Sequence, residues 1–215
     1  MSQYKILFVD EVESDIRRFQ RYVRRKDTDE KFELTTLTPE NTLDNFMNFF
    51  RENKFDAIIT DHKLHEENAN ISFDGIDLVR AIINERADFP CFVLTSFDDE
   101  AIINGDDVNI VYIKGLMDTD GENKAHATFL DKIENQIKHH RKKIEDSKTE
   151  LLQLSRKGYL DAKDEARLIE LDTYIEKTTY VPSSLPAHLK SAHHLSELHK
   201  MIDNTDKLLA ELKGR

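Results

Sequence analysis

Four apolar runs in this chain close on polar residues: "YKILFVDE" on Asp10 and Glu11, "FDAIITD" on Asp61, "PCFVLTS" on Thr95 and Ser96, and "VNIVYIK" on Lys114. Between them lie longer stretches with apolar residues at helical spacing. In "SDIRRFQRYV", Ile16, Phe19 and Val23 fall at i, i+3 and i+7, while Arg17, Arg18, Arg21, Arg24 and Arg25 point elsewhere. With "FELTTLT" as a further strand, and "TLDNFMNFFREN", "GIDLVRAIINER" and "DDEAIINGD" as further helices, strands alternate with helices up to about residue 117. That alternation specifies an α/β fold, a doubly wound five-stranded parallel sheet covered on both faces. Ligands of such a sheet bind outside the carboxyl ends of its strands. A buried strand that ends on Asp61 therefore marks the site.

After residue 118 the strand pattern stops. "ATFLDKIENQIKHHRKKIEDSKTELLQL" reads as one long helix, with Phe129, Ile133 and Ile137 at i+4 steps, then Ile144 and Leu151 at seven-residue steps. "SRKGYLD" breaks it at Gly158, and Asp161 caps a second helix, "DAKDEARLIELDTYIEK". "TTYVPSSLP" is the expected linker, and a last helix carries the seam Leu195, Leu198, Ile202, Leu209 and Leu212. The expected division is residues 1–148, the sheet domain with its long last helix, and residues 149–215, an all-α hairpin or bundle.

Charge bears on partners. Residues 1–126 hold 15 Lys and Arg against 27 Asp and Glu, and residues 127–215 hold 16 against 15. Neither part has the basic excess of a nucleic-acid binder, so no nucleic-acid partner is expected. "IKHHRKK" reads as an exposed helix face. No apolar run approaches the roughly 20 residues of a membrane helix, and "MSQYKILFVD" lacks a signal peptide's features, so a cytoplasmic protein without a membrane partner is expected. The single Cys91, inside "PCFVL", excludes an internal disulfide and is expected in the core.

Carboxylates converging at the strand ends repel, and each raises its neighbours' pKa. A divalent cation resolves this. Mg²⁺ takes oxygen ligands, so Asp10, Glu11 and Asp61 with a backbone carbonyl suit it. A phosphoryl group arriving at Asp61 would meet the cation, the Lys114 ammonium and the Thr95 hydroxyl on three sides, an arrangement that stabilises phosphoryl transfer by charge and position.

Taken in order, "FVDE", "IITD", "FDGIDLV", "FPCFVLTS" and "VYIK" resemble the response-regulator receiver domain of two-component signalling, over roughly residues 3–117. The resemblance implies that Asp61 accepts phosphate from a histidine kinase or phosphotransfer protein, with Thr95 and Lys114 as catalytic partners. It also implies that Mg²⁺ is held by Glu11 and Asp61 directly, by Asp10 through water and by the Lys63 carbonyl. The sequence departs from the family at four places. His65 stands where proline is usual, an insertion enlarges the loop from His65 to Phe73, and Gly115 replaces the proline after the lysine. Val111 occupies the position of the switch aromatic and leaves Tyr112, next to it, to substitute.

The leading expectation is a phosphoacceptor, not a turnover enzyme, whose helical tail works through a protein partner or self-association, or which acts as a phosphate relay or sink. A phosphorylation-independent pseudo-receiver scaffold is the alternative, favoured by Val111, Gly115 and the enlarged loop. A phosphatase of the haloacid dehalogenase type is a third; it requires a second aspartate where Val12 stands. Residues two beyond the acceptor and two beyond the threonine, Lys63 and Phe97, offer no group to orient a water, so self-dephosphorylation is expected to be slow.

Overall fold

The computed structural model describes residues 3–39, 42–65, 70–96, 111–119, 127–157 and 159–179. Contacts divide the chain into two units, Met1–Lys142 and Lys143–Arg215.

In the first unit, strands β1 (Tyr4–Val9), β2 (Phe32–Leu37), β3 (Ala57–Asp61), β4 (Cys91–Thr95) and β5 (Val111–Ile113) form one sheet in the order β2-β1-β3-β4-β5. All four pairings are parallel. This is the doubly wound order in which the crevice lies beside β1 and β3. The three central strands are buried on both faces, which is why they read as unbroken apolar runs.

Alternation along the strands feeds two cores. Ile6, Phe8, Ala57, Ile59, Phe92 and Leu94 face a cluster with Ile16, Phe19 and Val23 of α1 (Glu13–Lys26). Phe129, Ile133 and Ile137 of the long helix complete that cluster. Leu7, Val9, Ile58, Cys91 and Val93 face the other way, with Phe46, Met47 and Phe50 of α2 (Leu43–Glu52) and Leu78, Val79 and Ile82 of α3 (Gly75–Glu85). Helices α2 and α3 are capped at their starts by side chains: Thr42 accepts from the Asn45 amide at 3.3 Å, and Asp74 and Asp77 form a reciprocal capping box.

The structure places the residues of two departures from the family pattern. Val111 and Tyr112 lie on opposite faces of β5: Val111 joins the α2/α3 core and Tyr112 the other. Tyr112 packs at 5.9 Å from Phe92 and 5.1 Å from Phe129, with the Lys132 ammonium over its ring, so it does not take over from Val111. The enlarged loop is also anchored in the core at its edges, because Leu64, Ile71 and Phe73 are all buried there.

After β5 come α4 (Leu116–Thr119), α5 (Phe129–Ser155) and α6 (Ala162–Thr179). Asp161 caps α6 as expected, accepting from the Asp164 amide at 2.8 Å. Within the second unit the end of α5 and α6 form an antiparallel hairpin: Glu150 pairs with Arg167 at 2.8 Å, and Lys143 lies over the Tyr174 ring. The linker begins later than expected. Thr178 and Thr179 are helical, and each hydroxyl donates at 2.7 Å to the carbonyl four residues back, Tyr174 and Ile175. The expected helix "DDEAIINGD", the start of "VNIVYIK", Phe97, Gly158, the rest of the linker and the seam from Leu195 to Leu212 lie outside the described residues. Among the described residues, no helix is long and apolar enough to cross a membrane.

Candidate functional site

Register brings the polar strand ends together. Val9 stands beside Thr60, so Asp10 is level with Asp61; Asp61 stands beside Leu94, one residue short of Thr95; and Thr95 stands beside Ile113, one short of Lys114. Backbone hydrogen bonds extend the ladder through the site. The Asp10 amide donates to Leu37 O at 3.2 Å, the His62 amide to Leu94 O at 2.8 Å, and the Lys114 amide to Thr95 O at 2.7 Å.

Asp10, Asp61, Thr95 and Lys114 are all buried. The Lys114 ammonium lies 3.1 Å from Asp10 Oδ2, 2.6 Å from Asp61 Oδ1 and 2.5 Å from Asp15 Oδ2. The other oxygens of Asp10 and Asp61 meet backbone amides: Val12 N–H donates to Asp10 Oδ1 at 2.9 Å, and Lys63 N–H to Asp61 Oδ2 at 2.7 Å. Lys63 thus touches the acceptor through its amide. Glu11 reaches the cluster only in part; its Oε2 is buried without a hydrogen-bond partner.

Burial pushes the Asp10 carboxyl up to about 6, against the pull of Lys114 and the Val12 amide. Burial likewise pushes Glu11 up to about 7, with the charges of Asp61 and Asp10 adding. For Lys114, burial alone would lower the ammonium pKa. The charges of Asp61 and Asp10 and the hydrogen bonds of Asp15 and Asp61 outweigh it, and the ammonium is held above its ordinary value. Asp10, Asp15 and Asp61 share the single Lys114 ammonium, more acid than it neutralises.

Two contributors escaped the sequence. Asp15 lies in the first turn of α1, where its only signal is an acid five residues after Asp10. Gly75 starts α3 against the acceptor. Its amide donates to His62 O at 2.9 Å, and a Cβ there would stand 2.0 Å from the Asp61 carbonyl oxygen and 3.1 Å from Thr60 Cγ2. Backbone, not a flexible side chain, blocks that space. Gly75→Ala is expected to cost about 2–3 kcal/mol in urea unfolding; a midpoint unchanged from the natural chain would show that α3 slides away freely.

The basic side of α1 is partly engaged. Arg25 donates to the Met117 carbonyl at 2.8 Å, and Arg18 pairs with Asp118, both in the short helix that follows Lys114. Arg17 pairs with Glu13 along the helix itself.

No protein-family model matches the chain, and no curated protein does. Among solved structures, it is similar to the non-phosphorylated receiver domain of the stress response regulator RcsB from Escherichia coli, at 16% identity and TM-score 0.37 over 47% of this chain and 72% of that one. It is also similar to the chemotaxis response regulator CheY4 of Vibrio cholerae, at 18% identity and TM-score 0.36 over 48% and 76%. RcsB from Salmonella enterica serovar Typhimurium, bound to a promoter in the presence of a phosphomimetic, aligns at 16% identity and TM-score 0.46 over 88% and 92%. The sheet order, its two helical layers and the polar residues at four strand ends give the first unit the fold of a response-regulator receiver.

Proposed function

We propose that the chain is a phosphoacceptor of two-component signalling, taking a phosphoryl group on Asp61 from a histidine kinase or phosphotransfer protein. The observation that carries this is the buried Asp61 carboxylate at the end of β3 facing, at 2.6 Å, the ammonium of Lys114, which follows β5, with Asp10 at the end of β1 on the same ammonium. Asp61 attacks phosphorus, the bond from phosphorus to the donor's imidazole nitrogen breaks with its electron pair staying on that nitrogen, and Lys114 moves its hydrogen bond from Asp61 to a phosphoryl oxygen. Thr95 offers a hydroxyl to another.

The residues fit Mg²⁺. The donors are hard oxygens, Glu11 Oε2 is buried without a partner, and burial, with Asp61 adding, raises the Asp10 and Glu11 carboxyls despite the Lys114 charge. Glu11 and Asp61 would hold the ion, with Asp10 through water and the Lys63 carbonyl. Bound there, it would neutralise charge between acceptor and incoming phosphoryl group. Among the described residues no three His, Cys, Asp or Glu side chains are arranged as a ligand set.

Beyond uptake, the chain is not a turnover enzyme, and Lys63 beside the acceptor has no carboxylate or amide to orient water, so hydrolysis is slow. Output runs through protein contacts of the C-terminal helices, without nucleic acid. A phosphorylation-independent scaffold is the second reading, favoured by the inward packing of Tyr112 and the absence of an aromatic at Val111.

Acetyl phosphate with Mg²⁺ tests the leading reading. One phosphoryl group should be gained by intact mass, and none when EDTA replaces the metal. A chain that stays unmodified, and that also fails to bind beryllofluoride with Mg²⁺, is a scaffold and not an acceptor.

A further inference from the structure

We propose that Asp15 is a positioning residue for Lys114, an acid on α1 that shares the ammonium with Asp61 and so limits how firmly it pairs with the acceptor. The proposal rests on the phosphoacceptor function proposed above and adds to it a residue outside the strand ends.

The geometry is specific. A lysine ammonium has three donors and no acceptor, and here each donor has its own carboxylate: Asp10, Asp15 and Asp61. Asp10 and Asp61 are rooted on the adjacent central strands β1 and β3, whereas Asp15 reaches in from the first turn of α1. Asp15 is thus the anchor that belongs neither to the acceptor nor to the proposed metal ligands. Its side chain is 23% exposed against 0% for Asp10, so its charge is the easier of the two to keep in place without the lysine.

A simpler role, as a first-turn acid favouring the helix N-terminus, does not account for the contact. Glu13 sits in the same turn and turns outward to Arg17, whereas Asp15 turns inward to a lysine 99 residues away. The same helix also grips the segment after Lys114 through Arg18 and Arg25. Helix α1 thereby positions both the Lys114 side chain and the turn that follows it.

The chemical consequence follows from competition. During transfer an Asp61 oxygen forms a bond to phosphorus, the bond from phosphorus to the acetate oxygen breaks, and acetate leaves with the electron pair; no proton changes hands. The attacking carboxylate reacts through a lone pair, and an ammonium paired to it lowers the reactivity of that pair. With Asp15 neutral, Lys114 falls back onto Asp10 and Asp61 alone. It then pairs with the acceptor more firmly than when Asp15 shares it and contests the oxygens that Mg²⁺ requires.

A double-mutant cycle on the full chain distinguishes this from a structural role. Asp15→Asn is expected to slow Mg²⁺-dependent uptake from acetyl phosphate about tenfold and to weaken Mg²⁺ binding by calorimetry, with Asp15→Glu restoring part of both. In a Lys114→Met background the further change Asp15→Asn should alter neither quantity. The calorimetric arm decides the matter even where Lys114→Met takes up too little phosphoryl group to follow. Equal losses in the two backgrounds, or no loss with Lys114 present, would overturn the assignment. A natural chain that takes up no phosphoryl group overturns the function proposed for the site, and the role of Asp15 with it; a natural chain that is phosphorylated while Asp15→Asn behaves identically overturns only the role of Asp15.

Discussion

Asp61→Asn is expected to abolish phosphoryl uptake from acetyl phosphate while leaving the fold intact. The amide keeps the shape of the side chain and removes the nucleophilic charge. Lys114 keeps Asp10 and Asp15 as partners, so no buried cation is stranded. Lys114→Met separates the two roles of the site in the opposite way. It retains the acceptor but removes the charge facing the phosphoryl group, and uptake should fall on the order of 10²- to 10³-fold, as when a single preorganised donor is lost. It also leaves Asp10, fully buried, without its cation. Removing one partner of a buried pair costs about 3–5 kcal/mol, so this variant should be clearly less stable at neutral pH whereas Asp61→Asn should not. Intact mass and denaturant unfolding on the two proteins give four results. Uptake that survives in Asp61→Asn would move the acceptor elsewhere, and equal stabilities would mean that Lys114 contributes nothing to holding the acids.

The strand ends were legible because two constraints coincide there. Runs buried on both faces must be apolar throughout, so the first polar residue after each run marks the place where the sheet opens to solvent, and parallel register then brings those ends level. The α1 stripe of Ile16, Phe19 and Val23 was visible for a similar reason, and all three are buried. Asp15 was not legible, because an acid in a helix's first turn is expected on helix-dipole grounds alone, and only the fold shows it turned toward β5. Gly75 was hidden inside an Asp-Gly pair, where a glycine suggests a turn; its requirement comes from the approach of α3 to the Asp61 carbonyl, a tertiary distance. Ile71 and Phe73 carried an unread signal: two apolar residues in a polar insertion belong under it, where both are buried. The place of Tyr112 was decided by strand alternation, which sets neighbouring side chains on opposite faces.

Without a divalent cation, the protein should lose stability as pH rises from about 4.5 to about 7, and Mg²⁺ should restore it only at the upper end. The sign follows from the direction of the shifts. Asp10 is raised from 3.8 to about 6 in the folded chain, so between those values the folded state holds a proton that the unfolded state has released. Stability then falls with rising pH across that window, and the full penalty is present above it. Glu11, raised from 4.5 to about 7, acts in the same sense over a slightly higher window. Asp10 contributes about 3 kcal/mol; Glu11, only partly buried, is screened by solvent and contributes about 1–2 kcal/mol. The raised Lys114 adds stability that is fully present below 10.5, so it is constant across this range. Asp131, Glu134 and Glu150, held below their ordinary 3.8 or 4.5, favour the folded state at higher pH, and their contributions are lost only below about 4.5. A cation entering the cluster needs these carboxylates ionised, so binding is linked to the release of the same protons. Thermal unfolding at several pH values, with EDTA or with saturating Mg²⁺, should give curves that meet near pH 4.5 and diverge toward about pH 7, the metal-free one falling. Asp10→Asn should remove the lower part of the fall and Glu11→Gln the upper part. Parallel curves, or a metal-free protein most stable at about pH 7, would show that Lys114 alone satisfies the acids and that no cation is needed.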